Sequence, residues 1–234
     1  MGGRVVHARE GRRDEYRPLV SALCRSSEPA AVLDGLLELH PFRCCYIADL
    51  DAILARGDHR AVVAALGRAH PALEFWVDAG RLAGTLGAAP IRPVFGSESL
   101  DEGEAASLDA QAILSLDFRG DEFLGPRALL ESAALWPRDV IVMNLERVGG
   151  SGGPDLERLA ALRGRAPDRC FHAAGGVRGG ADLAALARAG AAGVLLASAL
   201  HDGRLSRAEL AAWHDPLPGD AVLPARETGP GRGR

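Results

Sequence analysis

The chain predicts an α/β fold, a TIM (β/α)8 barrel, on three observations. Strand-length apolar stretches alternate with helix-periodic ones, the pattern of a parallel sheet covered on both faces. Polar residues collect where the apolar stretches end, at Asp49, Asp51, Asp78, Ser97, Glu98, Asp117, Asn144 and Glu146. The carboxyl ends of barrel strands form the active face, so this one-sided placement is that of a functional mouth. Third, 234 residues, 47% of them hydrophobic, suffice for one sizeable core.

The elements follow in order. "RVVHA" (4–8) is a candidate opening strand that lies too close to Met1, so the first barrel strand is expected to be missing or truncated at the N-terminus. "CCYIADL" (44–50) reads as a buried strand and "HRAVVAALGRA" (59–69) as a helix. Strands follow at "LEFWVDAG" (73–80), "IRPVFGS" (91–97) and "AILSLD" (112–117). "PRALLESAAL" (126–135) is a helix with proline at a favourable first position. "DVIVMNL" (139–145), "CFHAAGG" (170–176) and "AGVLLAS" (192–198) complete seven strands. Helices at 154–164 and 181–190 separate the last three, each ending at a glycine suited to a C-cap. Residues 1–214 are expected to form a single barrel, and the aperiodic Pro/Gly-rich stretch 215–234 a disordered tail.

Composition narrows the function. A net charge of -4 leaves no footprint for nucleic acid or an anionic membrane, and 5% aromatic residues offer few stacking platforms. Cys24, Cys44, Cys45 and Cys170 contain no C-x-x-C, the usage of reduced thiols in a cytoplasmic protein. The scattered histidines show no ligand spacing, so neither a metal nor another cofactor is expected. The charged opening residues do not form a signal peptide, and no apolar run reaches membrane length. The expected partner is a phosphorylated small molecule, and the expected state a monomer or homodimer.

"HAAGGVRGGADL" (172–183) carries the phosphate question. Glycines let the main chain approach an anion, and amides at a helix start carry partial positive charge. Turn chemistry alone explains one glycine pair. Here "AAGGVR" (173–178) precedes "LLASAL" (195–200) as "VDAGR" (77–81) precedes "VFGSES" (94–99), a degenerate internal duplication. Two phosphate loops are therefore expected, Gly175, Gly176, Ala197 and Ser198 in one and Gly80, Gly96 and Ser97 in the other. "GGSGG" (149–153) formally matches G-x-S-x-G, but Gly152, Gly153 and Pro154 intervene where a nucleophile elbow starts its helix. It reads instead as a lid over substrate.

The chain resembles the HisA/HisF-related barrels, whose founding activity is the ribotide isomerase of histidine biosynthesis. "GGRVVHARE" resembles the hairpin after the family's first strand, "YIADLDAI" its second strand and "LSLDFRG" its fifth. "NLERVGGSGGPDLE" resembles the loop and helix after the sixth, and "AAGGVRGGADLAAL" and "GVLLASALHDGRL" the phosphate-binding seventh and eighth. The resemblance implies an Amadori rearrangement, an aminoaldose becoming an aminoketose, which needs an acid near the ring oxygen and a base at C2. Asp117 matches the fifth-strand acid, while the strand-one counterpart has no equivalent here. The family's sixth-strand Thr-Asp falls on Met143-Asn144 and its following catalytic Asp on Val148, neither able to relay a proton.

The catalytic candidates are Asp117, Asp49, Asp51, Asp78 and Glu146, and the substrate-loop candidates Arg4, His7, Gly149, Gly150 and Ser151. His172, inside an apolar strand, reads as a core histidine. The expected activity is an aldose–ketose-type isomerase of a divergent branch associated with one-carbon coenzyme biosynthesis. The alternatives are the histidine-pathway isomerase itself and a non-catalytic phosphometabolite-binding barrel.

Overall fold

The computed structural model describes residues 1–86, 89–109 and 111–213. The expected tail, 215–234, lies outside the described residues. The chain opens with a ribbon of β1 (Val6–His7) and β2 (Arg17–Pro18), followed by α1 (Pro29–Leu39) and β3 (Cys44–Ala48). Next come α2 (Leu50–Ile53), α3 (Arg60–Ala69), β4 (Glu74–Asp78), β5 (Ile91–Gly96) and α4 (Glu102–Ala105). The second half holds β6 (Ile113–Arg119), β7 (Glu122–Leu124), α5 (Arg127–Glu131), β8 (Asp139–Asn144) and α6 (Leu156–Arg165). It ends with β9 (Cys170–Ala174), α7 (Gly180–Arg188), β10 (Gly193–Leu195), α8 (Ser198–His201) and α9 (Arg207–Ala212).

The fold is a TIM barrel. Among the described residues, seven parallel strands pair in the order β10-β9-β8-β6-β5-β4-β3, and β7 folds back antiparallel on β6. Residues 4–8 do not supply the missing strand: Val6 pairs with Pro18 and His7 with Arg17 in a separate antiparallel ribbon. β10 and β3 are not bonded to each other, and the exposure of the strands follows from this. The central strands β6 and β8 are buried almost throughout, whereas every residue of β3 and β10 is only half-buried.

Side-chain alternation sorts the strands into an inside and an outside. Trp76, Val94, Ile113, Ile141, Met143 and Ala174 fill the barrel interior. Leu114, Leu116, Val140, Val142, Phe171 and Ala173 face α5 to α8 in the largest cluster, and Phe75 and Val77 face Leu33 of α1 and Val63 and Leu66 of α3. α1 starts with Pro29 in its first turn, where a missing amide costs no helical bond, and packs close under the preceding loop. A β-carbon on its Gly35 would lie 1.9 Å from the Leu23 carbonyl oxygen. At the amino end of the barrel His172 is a satisfied core histidine. Its Nε2 is 3.1 Å from Asp139 Oδ1, and its ring meets Trp76 edge-on at 4.7 Å.

Candidate active site at the carboxyl ends of the strands

Three buried aspartates stand at the mouth: Asp49 after β3, Asp78 at the end of β4 and, beyond β5, Asp117 in β6. Asp78 and Asp117 come together over Gly96 of β5. A β-carbon there would lie 3.0 Å from Asp78 Oδ2 and 3.1 Å from Asp117 Oδ2, so only glycine leaves both carboxylates their place. Asp117 accepts from the Ser115 hydroxyl at 2.6 Å and from the Glu98 amide at 3.2 Å. Asp78 accepts from the Gly80 amide at 2.9 Å and from the Tyr46 hydroxyl.

Those bonds do not offset the loss of water. Burial, with the charge of Asp78 second, pushes Asp117 from its ordinary 3.8 to about 8. Burial pushes Asp78 up to about 6, opposed by the Gly80 amide and Arg13. The pair thus shares a proton near neutrality, since two buried carboxylates this close resist joint ionisation. Tyr46, pushed well above 10.0 by burial and then by Asp78, stays a neutral donor. Arg13 reaches over the mouth from the loop after β1 and pairs with Glu98.

Asp49 and Asp51 serve differently. Asp49 accepts from the His59 amide at 2.6 Å, stands 2.9 Å from His59 Nδ1 and caps α2 through the Ala52 amide. Asp51 accepts from the Gly2 amide at 2.5 Å, and His59 Nε2 from Gly3 at 2.9 Å. The ligand atoms of Asp49, Asp51 and His59 lie within 4.8 Å of one another, a spacing compatible with a cation that the sequence pattern did not announce. Main-chain amides already occupy them, so the cluster ties the chain's first residues to the start of α3. Glu146 is exposed beside Gly120 and is not among the residues lining the spaces at the mouth.

The two glycine loops part company. Gly175 and Gly176 adopt φ of +99° and +82°, the left-handed region. A β-carbon on Gly176 would lie 2.2 Å from the Gly153 carbonyl, so this glycine is also required by packing. Among the described residues, the amides of Gly175, Gly176, Ala197 and Ser198 donate to no main-chain carbonyl outside the regular helices and strands. All four residues line a cavity of about 270 Å³ with Gly149, Gly150, His7 and His201. It runs between β3 and β10 to Leu33, Leu36 and Leu37 of α1. A second space of about 360 Å³ holds Asp49, Asp78, Glu98 and Asp117, and shares Val6, Tyr46, Met143, Val148, Ala197 and His201 with the first.

The expected loop of Gly80, Gly96 and Ser97 is corrected. Gly96 faces the Asp78 and Asp117 carboxylates, which repel a phosphate, the Gly80 amide already donates to Asp78 while its α-carbon packs on the Ile53 main chain, and Ser97 is fully buried. Its hydroxyl donates to the Leu124 carbonyl at 2.6 Å and accepts from the Asp117 amide at 2.9 Å, so it holds β7 on β6. Of the substrate-loop candidates, Arg4 pairs with Glu28 at 2.5 Å and Ser151 is exposed. Gly149 packs on the Ala8 carbonyl, and the Glu10 amide donates to Val148 at 2.7 Å, so 148–150 lies pinned beneath the opening ribbon. Sequence reasoning missed Tyr46 and Arg13. Tyr46 had a signal, two positions before Ala48 on the inward side of a strand. Arg13 had none, because a loop arginine is ordinary.

Comparison with known proteins agrees with this architecture. The family described as histidine biosynthesis protein matches residues 129–206. An uncharacterized protein of Methanocaldococcus jannaschii is 27% identical over 88% of this chain and 92% of its own length. The 1-(5-phosphoribosyl)-5-((5-phosphoribosylamino)methylideneamino) imidazole-4-carboxamide isomerase of Myxococcus xanthus is 26% identical over 74% of this chain and 81% of that enzyme. Its Proteus mirabilis counterpart is 24% identical over 71% of this chain and 64% of that enzyme. No described helix is long and apolar enough to cross a membrane.

Proposed function

We propose, the chain being a relative of the HisA/HisF-related barrels, that it is an acid–base isomerase acting on a phosphorylated ribotide or sugar phosphate. The observation that carries this reading is the Asp78–Asp117 pair over Gly96, opening on a space continuous with the Gly175-Gly176 loop. An Amadori rearrangement needs one proton delivered to the ring oxygen and one removed from C2. Asp117, raised further, holds its proton at neutral pH and is the donor that opens the ring to an iminium. Asp78 is ionised there, and it takes the C2 proton to give an enolamine that relaxes to the aminoketose. Protonation at C1 and loss of the 2-hydroxyl proton restore the pair, so each proton is returned. Each group is worth about 10²–10⁴ in rate. The amides of Gly175, Gly176, Ala197 and Ser198 would hold the phosphate through charge-assisted bonds.

A second reading rests on Met143 and Val148, which line both spaces as apolar groups where the resemblance places proton-transferring ones. They favour a barrel that binds a phosphometabolite without converting it. They also weigh against the histidine-pathway ribotide as substrate. A role in one-carbon coenzyme biosynthesis rests on the resemblance alone.

The test offers the histidine-pathway ribotide and simple aldose phosphates to the full chain. The expected result is aldose-to-ketose conversion that Asp117→Asn lowers about 10²–10⁴-fold in kcat. Ser198→Asp, whose carboxylate suits a helical first turn, is expected to raise KM with little change in kcat. Binding without turnover across the panel would establish the non-catalytic reading. A wild-type rate in Asp117→Asn would refute the assigned acid.

A further inference from the structure

The cavity beside Gly175 and Gly176 lacks the cation a phosphate usually meets. The sequence contains no lysine. No arginine, aspartate or glutamate lies among the residues that line this cavity. The arginines next to the glycine loop are committed elsewhere. Arg178 forks onto Asp182 at 2.8 and 2.7 Å, and Arg147 donates to the Gly153 and Pro154 carbonyls at 3.0 and 2.9 Å. Two side chains in the lining can become cations on protonation, His7 of β1 and His201 at the end of α8.

We propose that His7 and His201 form a proton-coupled anion clamp, so that the phosphate group enters this cavity together with a proton taken up by the imidazole pair. The inference rests on the phosphate reading of the same loop and adds what neutralises the ligand. His201 is built for it. Its Nδ1 lies 3.1 Å from Ser21 Oγ, and the Ser21 hydroxyl in turn reaches the His201 carbonyl at 3.4 Å. With the hydroxyl proton directed to that carbonyl, Nδ1–H donates to Oγ and the tautomer leaves Nε2 as the basic atom. No described side chain hydrogen-bonds the His7 ring.

The protein surroundings of His201 favour its neutral form. Burial, and then the charge of His7, hold His201 below its ordinary value, while Asp202 pulls the other way. The remaining titratable groups of the lining come from β3 and stay neutral: Cys44 is pushed up to about 12, Cys45 to about 11 and Tyr46 well above its ordinary value, all by burial first. An arriving dianion reverses the balance by stabilising imidazolium, and binding then draws a proton from solution.

Sulfate is the probe, because it stays a dianion between about pH 5 and about pH 8, where histidine titrates. Calorimetric titration of the full chain is expected to show affinity falling at least about tenfold across that range, as one coupled proton requires. His201→Gln is expected to bind as weakly as wild type at high pH and to flatten the dependence, and His7→Gln to reduce it. Unchanged far-ultraviolet dichroism confirms that each variant folds. Ribose 5-phosphate, titrated near neutrality in two buffers of different ionisation enthalpy, is expected to take up a proton in wild type and none in His201→Gln. Binding that is independent of pH, or a full dependence retained in both variants, overturns the clamp while leaving the phosphate reading intact. Failure of both probes to bind at any pH overturns the two together.

Discussion

Replacing Asp117 by asparagine should make the protein more stable at high pH, even though it removes a group from the site. An acid whose folded pKa is raised leaves stability intact below its unfolded value and withdraws it as the pH climbs toward the folded one. Asp117 goes from 3.8 to about 8 and Asp78 from 3.8 to about 6. Between about pH 5 and about pH 8 the first covers some three units and the second one, at about 1.4 kcal/mol per unit. The ceiling is therefore about 6 kcal/mol, and relaxation of a real interior leaves about 2–3 kcal/mol. For a chain of this size that lowers Tm by about 5–10 °C across the window. Asparagine keeps an oxygen for the Glu98 amide and turns its NH2 toward Ser115, whose hydroxyl becomes the acceptor. Melting curves of wild type and Asp117→Asn in matched buffers are the assay. Wild type should lose Tm steeply with rising pH and the variant much less, crossing above wild type near the alkaline end. A wild-type Tm that is flat or rises over this window, or an equal slope in the variant, would refute the buried, proton-sharing pair.

Two further outcomes follow from other parts of the barrel. Asp139, held down at about 2 by its hydrogen bond from His172 and then by Arg92, adds stability that is present above its unfolded value and lost as pH falls through about 2. Asp139→Asn should cost about 1–2 kcal/mol in urea melts at neutral pH, allowing for its partial contact with solvent, and the difference should shrink below pH 3.8 and close near about pH 2. In α1, helix propensity alone makes Gly35→Ala stabilising by about 1 kcal/mol. The 1.9 Å approach to Leu23 makes it destabilising by about 1–3 kcal/mol instead, and the sign of the shift in urea midpoint decides.

Much of the fold was legible because a parallel barrel writes itself as a period. The strands expected at 44–50, 139–145 and 170–176 were found at Cys44–Ala48, Asp139–Asn144 and Cys170–Ala174, each shorter only where the carboxyl end bends into its loop. α1 went unremarked although Pro29 and the spacing of Val32, Leu33, Leu36 and Leu37 announce it. "RVVHA" looks strand-like because two β-branched residues fit a ribbon as well as a barrel strand, and it is the ribbon that they form. That the opening strand position would be unfilled could be read from a count of seven, and the half-exposed β3 and β10 are its physical consequence.

Which aspartates act together was not legible, because strand-end position fixes height in the barrel and not the angular neighbour. Asp49, Asp78 and Asp117 share a pattern in sequence. His59, ten residues on, draws Asp49 into a cap, while Asp78 and Asp117 converge from the two strands that flank β5. What permits the convergence is the residue between them. Gly96 was singled out as a place where main chain approaches an anion, and it does approach one. The anions are the protein's own carboxylates, held about 3 Å from where a side chain would begin. A glycine after a strand therefore marks closeness without naming what comes close. The repeat in "VDAGR" and "VFGSES" keeps that closeness, while Asp78 and Asp117 fill the space that an anionic ligand would need.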